Sequence, residues 1–110
     1  MDKKIISVAN DFSKTPGPRY IKEGDFSGEL FRSKILEPEY LNAVKENKKL
    51  EVNLDGTVGY ATSFLEEAFG GLARIYSAEK VLAILTIIST EEEYYKDEVT
   101  QYINEANEES

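Results

Sequence analysis

The chain has 110 residues and contains no cysteine, histidine or tryptophan. That excludes a disulfide framework, a thiol nucleophile and any cysteine or histidine metal site, and it removes the commonest general base at neutral pH. The net charge of −8 is uneven, because residues 90–110 carry eight carboxylates against Lys96 alone and leave the first 89 residues nearly neutral.

With 41% apolar and 31% charged residues, a chain of this length fits one α/β domain with a radius of gyration of about 13 Å. The expected division is a domain over 1–106 and a frayed acidic tail over 107–110. Lysines occur in scattered pairs such as Lys3-Lys4 and Lys48-Lys49, with no basic stripe to follow a phosphate backbone, so nucleic acid is not expected as a partner. The longest apolar run, Val81 to Ile88, is far short of the ~18 residues that cross a bilayer. The N-terminal run stops at Asn10-Asp11, too soon for a secretory leader. A cytoplasmic protein away from membranes is the expectation, with no cofactor or metal required.

In chain order, Lys4 to Ala9 is short and β-branched and predicts a strand. Thr15-Pro16-Gly17-Pro18 predicts a turn, after which Arg19-Tyr20-Ile21 would return as an edge strand. Ser27 stands ahead of a helical pattern through Leu30, Phe31 and Ile35, and Pro38 suits the start of a further helical turn carrying Tyr40, Leu41 and Val44. Leu50 to Leu54 alternates with period two, the mark of a strand with one buried face. Asp55-Gly56 and Gly59 turn the chain, and Thr62 or Ser63 would cap a helix whose inward positions are Leu65, Ala68, Phe69, Leu72, Ala73 and Tyr76. Val81 to Ile88 reads as a central strand covered on both faces. Thr90-x-x-Glu93 has the form of a capping box for a last helix with Tyr95, Val99, Tyr102, Ile103 and Ala106 inward. Strands alternating with helices favour a sheet with parallel pairs through right-handed crossovers.

The segment Val52 to Leu72, VNLDGTVGYATSFLEEAFGGL, resembles the hallmark block of a STAS-like family of small bacterial proteins. Ser27-Gly28-Glu29-Leu30-Phe31-Arg32 resembles the family's S-G-x-x-F-R element, and Leu85 to Ser89 its last strand. The resemblance implies a mixed β-sheet of about four to five strands with helices packed mainly on one face. It also implies kinship with anti-sigma-factor antagonists, in which the loop after a central strand carries a phosphorylated serine in a D-S-S-G element. Laid on this chain, Thr62 takes the phosphoacceptor position with Ser63 after it, and Ala61 replaces the aspartate. A histidine-kinase-type ATPase as kinase or partner is a further implication of that resemblance.

The expected partner-binding set is Asp55, Gly59, Tyr60, Ala61, Phe64, Glu66 and Glu67, with Thr62 and Ser63 as candidate phosphoacceptors and no catalytic residues. A phosphate at a helix N-terminus gains from unpaired backbone N–H groups and the helix dipole. The plainer role for the two hydroxyls is capping. A nucleotide- or anion-binding module using the same loop is the alternative function. Glu66 and Glu67 point about 100° apart on a helix, which suits interaction with its dipole better than a shared proton. Gly70-Gly71 predicts close packing, against the sheet, a helix or a partner backbone. Asp55-Gly56 has one carboxylate, too few for a hard cation. Arg19, Arg32 and Arg74 are dispersed in sequence; any one of them is a candidate to pair with the excess carboxylates, and none is assigned a catalytic part.

Overall fold

Leu50 and Val52, the two apolar positions of the alternating segment, are fully buried at the centre of a three-stranded sheet. In the computed structural model, which describes residues 3–106, the strands are β1 (Lys3–Ser7), β2 (Lys49–Asn53) and β3 (Leu85–Ile88), in the order β1-β2-β3. Both pairings are parallel, running from Lys3 opposite Lys49 to Ser7 opposite Asn53 and from Leu50 opposite Leu85 to Asn53 opposite Ile88. The register sets Ile6, Val52 and Ile87 in one buried row, and Ile5, Glu51 and Thr86 in the adjacent row on the other face. Ile5 is 60% exposed there, so the helices stand against one face only. The described chain has a Cα radius of gyration of 12.7 Å.

The sheet is thus smaller than the expected four to five strands, and parallel rather than mixed. Arg19-Tyr20-Ile21 does not return as a strand: the chain forms a single 3-10 turn, Ile21–Glu23, and the Arg19 guanidinium is drawn to Glu66 instead. β1 is cut short at Ser7, whose hydroxyl accepts from the Asn10 N–H at 3.2 Å while Asp11 accepts from the Ser7 N–H at 2.8 Å. This local pair of bonds turns the chain into one helical turn, α1 (Val8–Asp11).

Between β1 and β2 a continuous helical stretch comprises α2 (Gly28–Phe31), a π-helical segment (Arg32–Leu36) and α3 (Glu37–Glu46). Ser27 caps it as expected, accepting from the Leu30 N–H at 3.0 Å. Pro38 does not restart the helix but lies inside it, just past the widened π turn, where the missing N–H and bulky ring are accommodated. A second such stretch follows β2: α4 (Thr62–Leu65), a π-helical segment (Glu66–Gly70) and α5 (Gly71–Tyr76).

The run Val81 to Ile88 divides. Ser77 caps α6 (Ala78–Ile84), and only Leu85 onward is strand. A β-branched apolar run of that length is ambiguous between the two periods; here Val81 is buried while Leu82 is 38% exposed, a helical alternation. Thr86 is exposed, so β3 is not covered on both faces. The last helix, α7 (Tyr94–Glu105), buries Val99 and Ile103 as its pattern predicts. It begins without the capping box: Glu93, not Thr90, holds the N-cap position, and the Thr90 N–H and hydroxyl both donate to Asp55 in the preceding loop. The anticipated tail, 107–110, lies outside the described residues.

Candidate functional site

The C-terminal ends of β2 and β3 open into two loops, 54–61 and 89–93, and in parallel α/β sheets that edge is where ligands and partners are met. Asp55 fastens the loops together. Its carboxylate accepts from the backbone N–H groups of Thr90 (2.9 Å) and Glu91 (3.0 Å) as well as from the Thr90 hydroxyl. Glu91 reciprocates by accepting from the Gly56 N–H at 2.9 Å. The Glu91 backbone N–H and the Thr90 hydroxyl hold the Asp55 carboxyl below its usual range. A cleft of about 200 Å³ lies between the loops, with Asp55, Val58, Gly59, Glu91 and Tyr95 among its lining. Among the described residues no cluster of three or more potential ligands is arranged to hold a metal ion.

Tyr60 is turned inward. Its hydroxyl donates to the Leu54 carbonyl at 2.8 Å, its backbone N–H donates to the Tyr95 hydroxyl at 3.1 Å, and its ring packs against Phe64 and Tyr95. Burial pushes its phenol well above the usual range. Gly59 adopts φ 127°, a conformation open to glycine, with the Tyr95 hydroxyl too close to admit a side chain comfortably. The loop is therefore pinned from beneath, while Val58 stands 81% exposed at its tip.

From that pinned loop the chain emerges at Ala61 and Thr62, both exposed, and Ser63, half-buried. Ala61 occupies the N-cap position and no side chain caps this helix start. Thr62 and Ser63 are its first two helical residues, so the expected capping role is overturned. The cap position, whose side chain would accept from the N–H groups two and three residues on, is held by alanine, which has no acceptor to offer. The hydroxyl pair nevertheless stands at the mouth of a helix, with Thr62 open to solvent.

The remaining expected site residues are placed elsewhere. Phe64 is fully buried, its ring 5.9 Å from that of Phe31. Glu67 is 8% exposed. Its carboxylate takes Arg32 at 2.5 Å and Arg19 at 3.5 Å. Glu66 is bound by Arg19 and, at 2.6 Å, by Arg74. Burial pushes the Glu66 carboxyl up, but the hydrogen bonds from Arg74 and Arg19 outweigh it and hold the group below its usual range. The Arg19 guanidinium is raised in turn, chiefly by Glu66. All three arginines of the chain thus converge on the adjacent glutamates, which sequence spacing did not reveal. The one available signal was that a chain with ten lysines has arginine at three positions only, where planar, multidentate pairing is wanted.

The glycines explain the approach of the two helical stretches. A Cβ on Gly28 would lie 2.5 Å from the Phe64 carbonyl oxygen, and one on Gly71 would strike the Arg32 guanidinium. Arg32 also donates to the Glu67 carbonyl at 2.8 Å. Of the two structural partners foreseen for the Gly70-Gly71 pair, a helix is the one observed.

Residues 27–95 match the family model described as a STAS-like domain of unknown function (DUF4325). The chain belongs to that family. No curated protein and no solved structure matches it. Within the match, the Ser27–Arg32 element and the Phe64–Leu72 block are the two faces of one helix contact, and in the segment that leads into that block Ala61 and Thr62 are exposed.

Proposed function

We propose that this is a small non-enzymatic regulatory protein that acts by reversible binding to another protein through the strip Gly59 to Ser63. The observation that carries the reading is the exposed Thr62 at an uncapped helix start, presented by a loop that Asp55, Tyr60 and Tyr95 hold in place. An ordered exposed strip binds without first losing loop entropy. Thr62, with Ser63 next to it, is the group on which a phosphoryl switch would act. Transfer from ATP would form a phosphoester at the hydroxyl oxygen, release ADP and a proton, and set up to two negative charges on the binding strip. A histidine-kinase-type ATPase is the class of partner that suits this role; the resemblance of the loop before Thr62 to the phosphorylated loop of anti-sigma-factor antagonists supports it.

The test is retention of a partner from the native host on immobilised wild-type protein, compared with Thr62→Ala, Thr62→Glu and Ser63→Glu. Retention by wild type and Thr62→Ala, lost in the charged variants, is expected. If nothing is retained at micromolar protein, or if the charged variants bind as wild type does, the reading fails. A second reading, an anion- or nucleotide-binding module, rests on the same helix start, whose N–H groups no side chain caps. It predicts a rise in melting temperature with a nucleotide or phosphate panel, and a flat response removes it.

A further inference from the structure

At the opposite end of the sheet from that strip, α3 and α6 lie side by side ahead of β2 and β3. Between them runs a groove of about 230 Å³ lined by Tyr40, Val44, Lys80, Ala83 and Ile84. Val44 is 49% exposed, and the neighbouring Leu41 and Leu82 are 46% and 38% exposed. A solvent-facing helix normally turns polar residues outward; these two turn aliphatic side chains toward a shared furrow.

The charges that touch the groove are positive. Lys80 is the one charged residue in the lining, and the Lys49 ammonium donates to the Ala83 carbonyl at its edge. Lys45 is exposed one helical turn beyond Leu41. The carboxylates nearby on α3 are engaged: Glu46 faces Lys48 at 3.0 Å and Lys4 at 3.5 Å, Glu39 faces Lys4 at 4.0 Å, and Glu37 accepts from the Tyr76 hydroxyl. Glu79 is exposed beside Lys80 on α6 but is not part of the lining. An apolar furrow with a basic edge thus sits on a protein of net charge −8.

We infer that this groove docks an acidic amphipathic helix of a protein partner. Its apolar side chains would lie on Val44, Ala83 and Ile84, with a carboxylate meeting Lys80. A furrow between two helices is shaped for a third, read through anchors one turn apart. The charge complementarity selects an acidic polar face over a basic one. A two-fold pairing of two copies with its axis near Lys80 would oppose two ammonium groups, whereas a partner helix with an acidic face meets Lys80 with a carboxylate. The furrow is short, so the contact belongs to the small, transient class of interfaces.

Two synthetic helical peptides with the same apolar face, one with glutamates and one with lysines on the polar face, test this by amide NMR titration of the full chain. The glutamate peptide is expected to shift Val44, Ala83 and Ile84, and Lys80→Glu should weaken it about tenfold by turning attraction into repulsion. Val44→Asp should abolish it with the melting temperature within a few degrees of wild type. The inference is overturned if the lysine peptide binds equally well, if the shifts fall on residues 59–63, or if no shifts arise at millimolar peptide. It is likewise overturned if sedimentation shows a dimer that Val44→Asp dissolves, which would assign the groove to a second copy.

Discussion

Two stretches that adjoin in the chain have opposite fates. From Phe64 to Leu72 nearly every side chain is packed away, on Phe31, Arg32, Gly28 or α7; from Gly59 to Ser63 the backbone is anchored from below and the upper surface is open. The difference separates two meanings of a family pattern. The longer part, F-L-E-E-A-F-G-G-L, specifies how one helix seats on another, and the few residues before it are where an interaction with another molecule has to be sought.

Phe64→Ala strikes the packed half hardest. Removing a buried aromatic ring that contacts Phe31, Phe12 and Tyr60 should cost about 3–5 kcal/mol, a large part of the 5–15 kcal/mol typical of a domain. Urea unfolding measures it, and a loss below about 1 kcal/mol would mean that the helix contact is not what stabilises the fold. Gly28→Ala comes next, at about 1–3 kcal/mol, because its Cβ would meet the Phe64 backbone, which cannot step aside. Gly71→Ala should cost less than Gly28→Ala, since it meets the end of a flexible arginine. The reverse order would remove the backbone-contact explanation.

The sequence made the packed half legible as periodicity and left its polar seam invisible. Leu65, Ala68, Phe69, Leu72 and Ala73 are recognisable from spacing and buried, with Tyr76 half-buried; along the last helix and its C-cap Val99, Ile103 and Ala106 are buried, with Tyr95 and Tyr102 half-buried. The seam of three arginines on Glu66 and Glu67 joins positions up to 48 residues apart, and no local pattern encodes such a meeting. Hydroxyl residues misled in the same way. Thr62 and Thr90 both stand near helix starts where a cap is expected, but Ala61 holds one N-cap position and Glu93 the other, and the Thr90 N–H and hydroxyl both donate to Asp55 in the loop before the helix. The edge strand at Arg19 failed because its arginine found a carboxylate across the fold.

Asp55→Asn tests whether the clasp between the loops serves the open half. It weakens charge-assisted bonds to Thr90 and Glu91 at a partly exposed site, so the loss should be modest, about 1 kcal/mol. Amide exchange should quicken over residues 55–61 more than over 64–72. Uniform quickening would show that the clasp supports the whole domain. Acid tests the same carboxylates together. Asp55 and Glu66 are both held below their ordinary values of 3.8 and 4.5, so their contribution is complete above those values and is lost as pH falls through the lower folded ones. Stability should therefore decline from about pH 4.5 downward, less steeply in Asp55→Asn than in wild type; parallel declines would show that Asp55 is not among the groups responsible.

The smallest expected effect is the most informative about the open half. An N-cap threonine changed to alanine loses about 1 kcal/mol, whereas one at the first helical position, exposed and capping nothing, exchanges a β-branched side chain for a better helix former. Thr62→Ala should thus leave stability unchanged or raise it by up to about 0.5 kcal/mol, and Thr62→Glu should do at least as well through the helix dipole. Thermal unfolding of the three proteins decides it. A loss of about 1 kcal/mol in Thr62→Ala would mean that the hydroxyl is occupied in holding the helix. Neutral folding in both variants leaves Thr62 structurally dispensable, which is the condition for a side chain to be available to a partner without disturbing its own fold.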